Sequence, residues 1–145
     1  MIPFVQTTGA EGVVAAELRI RIPGRPPTPN ARYGNRGAQW AAQKRWRKTA
    51  WAIGLDAVNR SGWVAPGRAR VTLIFIVPDH RNRDIDNLVA STKPLTDGLR
   101  DAGVIIGDHS GVLVWGAPDV QYVRGVTATD YLVELLELPA PTLGL

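Results

Sequence analysis

The run Ala69–Val77, ARVTLIFIV, constrains the fold more than any other stretch. It is apolar and rich in β-branched residues, it does not alternate, and it is too short for a typical globular helix. Such a run reads as a strand covered on both faces, and so as a central member of a sheet. Pro78 closes it, since proline has no amide hydrogen for a ladder. The other extended segments differ in kind. Glu17–Ile22, ELRIRI, alternates charged and apolar residues, as a strand with one wet face does. Val112–Trp115, Val120–Arg124 and Asp130–Leu138 are further strands divided by Gly, Pro and Thr turns, and Val104–Ile106 is a short extended run.

Two segments carry helical spacing. In Gln39–Asn59, Trp46, Ala50, Ile53 and Ala57 fall on one stripe, while Lys44, Arg45, Arg47 and Lys48 fan over the opposite half of the cylinder. Trp46 and Trp51 are expected to be core anchors. The second helix is expected over Asn87–Ala102, with Asp86 or Asn87 as N-cap and Gly103 as the C-terminal stop. Pro94 lies inside it. Either the helix kinks near Ala90 or a fresh one starts around Thr92. Strand, helix, strand, helix and further strands, with short connections, predict an α+β fold: a mixed, partly antiparallel sheet backed by two main helices.

The 145 residues suit one domain spanning 1–145, with residues 1–14 as a loose N-terminal arm and 139–145 as a frayed tail. There is no cysteine, which excludes disulfides, zinc–thiolate sites and thiol nucleophiles. No apolar run approaches the roughly 20 residues that cross a bilayer. The first residues lack a basic leader, so a cytoplasmic, membrane-free protein is expected. The net charge is +4, and 14 of the 17 basic residues are arginine, whose planar fork pairs with phosphate. That balance fits a nucleic-acid partner as well as a merely basic surface. The Pro-, Gly- and Asn-rich loop RPPTPNARYGNRG, with Asn30 and Arg32, is either a backbone-phosphate contact or a plain connector.

The chemistry concentrates in PDHRNRDIDNLVASTKPLTDGLRDAGVIIGDHS, residues 78–110. In an extended segment Asp84 and Asp86 would point the same way and could share a cation, with Asn87 next and Arg81 and Arg83 just upstream. Asp108 stands in a Gly-Asp-His turn beyond the second helix. Three carboxylates without thiols would suit Mg²⁺, or Mn²⁺ as a substitute, held against a phosphate. Taken singly, Asp84 and Asp86 serve equally as a turn or cap pair. Lys93 lies two helical turns after Asp86, on the same face if the helix is unbroken, and would then polarise a phosphate oxygen. Its simpler role is an i,i+4 ion pair with Asp97. His109 is either a water-ordering group or an exposed turn residue, and Asp97 and Asp101 read as structural.

VPDHRNRDIDNL, then KPLTDGLRDAG, then GDHS, resembles the RusA family of Holliday-junction resolvases, small phage and prophage endonucleases. IPGRPPTPNARYGN is similar to that family's N-terminal strand and Pro-Pro-X-X-Asn loop, and the likeness spans about Leu18 to Leu138. The resemblance implies a homodimeric, Mg²⁺-dependent endodeoxyribonuclease. It would resolve four-way DNA junctions by paired symmetric nicks, in recombination and repair, in a bacterial cytoplasm. It also implies that Asp84, Asp86 and Asp108 are the essential, metal-holding aspartates, that Lys93 is the functional lysine and that Asn87 supports the site. Two features depart from the family pattern. Its lysine follows the acid pair by about one helical turn, where this chain has Ala90. Its distal acid is often a pair, whereas Asp108 stands between Gly107 and His109.

The DNA-contacting set expected from the basic residues is Asn30, Arg32, Lys44, Arg45, Arg47, Lys48, Arg81 and Arg83. The rival readings are a non-catalytic branched-DNA-binding protein of the same fold, a nucleotide-sugar-type phosphoryl-transfer enzyme and a structural basic protein. The second lacks a nucleotide-cradling glycine loop, and nothing positive speaks for the third.

Overall fold

Residues 4–10, 13–24, 36–83, 85–90, 92–126 and 130–139 are described by a computed structural model; side-chain environments are described from residue 16 onward, excluding 87, 88 and 90. In chain order the elements are β1 (Phe4–Ala10), β2 (Val13–Ile22), α1 (Arg36–Ser61), β3 (Ala69–Val77), α2 (Ile85–Ala90), α3 (Lys93–Asp101), β4 (Leu113–Trp115), β5 (Asp119–Tyr122) and β6 (Asp130–Glu137). The sheet order is β1-β2-β6-β3-β4, with β5 also paired to β3. The first three pairings are antiparallel, and those of β3 with β4 and β5 are parallel. The architecture is therefore α+β with a mixed sheet.

The apolar run is β3, and it is central. β6 pairs along nearly all of one edge, whereas β4 takes Ala69–Val71 and β5 takes Ile74–Val77 on the other. Val71, Leu73, Phe75 and Val77 face the main core, and Ile74 and Ile76, on the opposite face, are buried as well. Burial on both sides is what an unalternating apolar strand requires.

β2 shows the alternation read from its sequence. Leu18, Ile20 and Ile22 are fully buried, while Arg19 and Arg21 point to the wet face and reach acids on β6. Arg21 donates through both Nε and Nη2 to Asp130, whose second oxygen accepts the Gly24 amide. That carboxylate fixes where β2 ends.

Within the loose arm expected over residues 1–14, residues 4–10 and 13–14 are strand. Phe4–Ala10 pairs with Val13–Arg19, so β2 begins four residues earlier than the alternation suggests. Edge strands obtain their order from backbone pairing and need little side-chain burial, so they leave a weak periodic signal.

Both main helices pack on one face of the sheet. Trp46, Ala50 and Ala57 of α1 and Leu95 and Leu99 of α3 join Leu18, Phe75, Tyr131, Val133 and Leu135 in one core. Tyr131 meets Phe75 edge-on at 4.9 Å between centroids and Trp46 at 6.0 Å. Trp51, expected in this core, is 38% exposed. It follows Ala50 by one residue, a rotation of about 100° away from the buried stripe.

Where α3 crosses α1, Gly98 is buried against it. A Cβ at this position would press on the Arg47 carbonyl oxygen and lie 2.8 Å from Ala50 Cβ and 2.9 Å from the Trp51 amide nitrogen. Only a residue without a side chain lets the two backbones come this close.

Pro94 divides the expected second helix. It lacks the amide that would bond the carbonyl of Ala90, and its ring crowds that oxygen. α2 ends at Ala90, and α3 starts afresh with Thr92 as its N-cap and Pro94 in its first turn. There the missing donor is one that a helix start leaves unpaired anyway. The Thr92 hydroxyl donates back to the Val89 carbonyl at 2.6 Å, tying the two helices together. Asp86 lies in the first turn of α2, which begins at Ile85, and is not its cap.

Gly103 ends α3 as expected, at φ 79°. Its amide donates to the Arg100 carbonyl and that of Val104 to the Leu99 carbonyl, a Schellman closure. Val104 and Ile105 are buried but form no strand, contrary to the extended run expected there. The Trp63 indole donates to the Val104 carbonyl at 2.9 Å, which occupies the backbone a ladder would have used.

Candidate active site and nucleic-acid surface

α3 is short and two-sided. Leu95, Thr96, Gly98 and Leu99 are buried, while Lys93, Asp97 and Arg100, at i, i+4 and i+7, form a charged stripe. The Schellman closure turns the chain back along this stripe, and the 107–111 turn presents Asp108 to it. Lys93 Nζ donates to Asp108 Oδ2 at 2.6 Å and to Asp97 Oδ1 at 2.9 Å. Arg100 flanks both acids at longer range, 3.9 Å from Asp108 and 3.8 Å from Asp97. The local spacing predicts the pair with Asp97; the contact with Asp108 is a tertiary one.

The electrostatics follow from these contacts. The hydrogen bond from Lys93, then its charge, holds the Asp108 carboxyl below its ordinary value. The hydrogen bonds with Asp108 and then Asp97 raise Lys93 above its own. Asp108 is therefore a firmly ionised carboxylate with a cation already against it.

The network continues onto α1. Arg47 donates through Nε and Nη2 to the two oxygens of Asp101, at 2.8 and 3.0 Å, and stands 4.0 Å from Asp97. Its guanidinium, expected to face phosphate, is instead committed to α3. Two more of the expected phosphate ligands have internal partners. Arg83 donates to the Asp79 and Arg81 carbonyls and to Asp79 Oδ1, and Arg81 pairs with Asp79 Oδ2 at 3.0 Å. The Arg81 amide, followed by the Arg83 and Arg81 side chains, lowers Asp79. Together these bonds form a clamp on the segment that leads to position 84.

Lys44, Arg45 and Lys48 are exposed on α1, and among the described residues no carboxylate pairs with them. Asp86 is exposed and, among the described residues, likewise has no ion-pair partner. Asp84, Asn30 and Arg32 lie outside the described residues, as does the Asn87 side chain; the Asn87 backbone is part of α2. His109 is exposed, and its Nδ1 accepts the Gly111 amide at 3.2 Å, which makes it a turn-shaping residue. Among the described residues no three His, Asp or Glu side chains gather into a metal-holding group. No helix among them is long and apolar enough to cross a membrane.

No family model matches the chain, and no curated protein matches it. The site therefore stands on its own geometry. Of the four residues expected to carry the chemistry, the structure brings Lys93 and Asp108 into contact. Sequence reasoning gave the i,i+4 pair of Lys93 with Asp97 but missed Arg100, which the i+7 spacing from Lys93 places beside both acids. It also left out Trp40, which lies 64% exposed on the basic face of α1.

Proposed function

We propose that the chain is a Mg²⁺-dependent, structure-selective endonuclease of the RusA type, acting as a homodimer on four-way DNA junctions. The observation that carries this reading is the 2.6 Å contact between Lys93 and Asp108. These are two of the residues the resemblance implies for the site, and they meet across a helix and a turn.

Asp84, Asp86 and Asp108 would hold the ion. The chemistry of the donors supports the fit: oxygen ligands alone suit a hard divalent cation, and the Lys93 ammonium stands in for positive charge against Asp108. When bound, magnesium would supply an activated water and neutralise charge on the phosphate. The chain's own groups supply the rest. Lys93 Nζ has three protons; Asp108 and Asp97 take two, leaving the third for a phosphate oxygen. Asp97 holds this ammonium from its own helix while Arg47 steadies Asp97 from α1. The Asp79–Arg83 clamp positions the segment that carries Asp84 and Asp86. A four-way junction has approximate two-fold symmetry, so paired cuts call for one site from each of two subunits.

The alternative is a branched-DNA-binding protein of this fold without catalysis. The same ion pair is compatible with it, because the Lys93 ammonium itself balances the charge of Asp108. A labelled synthetic four-way junction set against a linear duplex, with Mg²⁺ and with chelator, separates the two. Paired nicks confined to the junction and to Mg²⁺ are expected. Tight junction binding with no Mg²⁺-dependent cutting would leave the binding protein.

A further inference from the structure

One face of α1 is unlike an ordinary solvated helix surface. Trp40, Lys44, Arg47 and Trp51 follow at intervals of four, three and four, which puts them on a single stripe. Trp40 is 64% exposed and Trp51 38%. Indoles usually bury most of their surface, and two on one helix face of this length need a reason. Lys44 Nζ sits 4.9 Å from the Trp40 ring centroid. Lys48 borders the stripe and Arg45 lies further round the helix on the same side; among the described residues no carboxylate neutralises Lys44, Arg45 or Lys48. Among the described residues, acid meets this stripe at Arg47, whose guanidinium turns to Asp101 and Asp97. Through Asp97 the stripe abuts Lys93 and Asp108. The two indoles lie about 16 Å apart along the axis.

Exposed aromatic rings interleaved with unneutralised cations complement a strand that alternates base faces with phosphates. We propose that this face of α1 is a stacking track for unpaired DNA bases that leads to the candidate active site. Trp40 and Trp51 take bases, while Lys44, Arg45 and Lys48 take phosphates. The inference rests on the nucleic-acid reading above and narrows the substrate to branched DNA with unpaired nucleotides next to the cut.

The test is fluorescence anisotropy in chelator, with a labelled oligothymidylate of about twenty nucleotides and a blunt duplex of similar length. Proteins compared are wild type, Trp40→Ala, Trp40→Phe and Trp51→Ala, each checked by circular dichroism. Trp40→Ala should weaken oligothymidylate binding by about five- to a hundredfold, Trp40→Phe should recover most of it, and duplex affinity should change less than about twofold. Equal oligothymidylate affinity for wild type and Trp40→Ala would overturn the proposal. So would conversion of a dimer to a monomer by Trp40→Ala in sedimentation, which would make this face a seam between copies. Trp40-dependent oligothymidylate binding without Mg²⁺-dependent junction cutting would sink the nuclease reading and leave this one standing.

Discussion

The Lys93 ammonium lies 2.6 Å from Asp108 Oδ2, although 15 residues, a helix and a turn separate the two in the chain. The contact ties the start of α3 to the turn beyond its end, and its pH dependence follows from the two shifts. Asp108 is lowered in the fold, so its contribution is present above the unfolded value near 3.8 and is lost as pH falls through the folded one. Lys93 is raised, so its contribution is present below 10.5 and is lost as pH rises through the folded value. The bridge is therefore complete across neutral pH. Lys93→Met should lower the melting temperature most between these limits and converge on wild type in strong acid. Thermal melts across pH would show this, and a constant offset at every pH would assign the effect to packing.

Asp86→Asn removes one exposed carboxylate and leaves the fold unloaded. Cutting of a four-way junction should fall by about a hundredfold or more, with junction affinity kept or increased, since a negative charge near phosphate is lost. Loss of binding together with cutting in a folded variant would count against the active-site assignment.

Lys44→Ala combined with Lys48→Ala should weaken duplex and junction binding alike. It should also reduce the slope of log affinity against log salt by about 2, one counterion release per lost contact. An unchanged slope would show that α1 does not face DNA.

Arg83→Ala should behave differently from those lysines. Its guanidinium is spent on Asp79 and the Arg81 carbonyl, so the salt slope should stay as in wild type. Cutting should drop, because the segment entering position 84 loses its clamp. A reduced slope would return Arg83 to the phosphate ligands expected from the sequence.

Gly98→Ala should destabilise the protein by about 1–3 kcal/mol in chemical denaturation, the usual cost of overpacking. The methyl would meet backbone of α1, which cannot swing aside as a flexible side chain would. Unaltered stability would mean that the seam between the helices has slack.

The parts of this molecule with strong patterning were legible in the sequence. ARVTLIFIV and ELRIRI announce a buried and a half-wet strand because burial dictates their residue types directly, and the stripe through Trp46 and Ala50 does the same for α1. β1 was not legible, since an edge hairpin is held by backbone bonds that leave no mark on side-chain choice. The commitments of Arg47, Arg81 and Arg83 were hidden for another reason. Arginine looks alike whether it meets phosphate or carboxylate, and only the tertiary placement of Asp79, Asp97 and Asp101 decides. For the site, the spacing of Lys93 pointed to Asp97, while its contact with Asp108 depends on the turn beyond α3 and left no local signal.

Gly98 carries a further consequence. The seam between α1 and α3 leaves no room for even a methyl, and Arg47 bridges it to Asp101 beside the Lys93 stripe. In a library selected only for folding, position 98 should stay frozen as glycine while the solvent-facing positions around it drift freely.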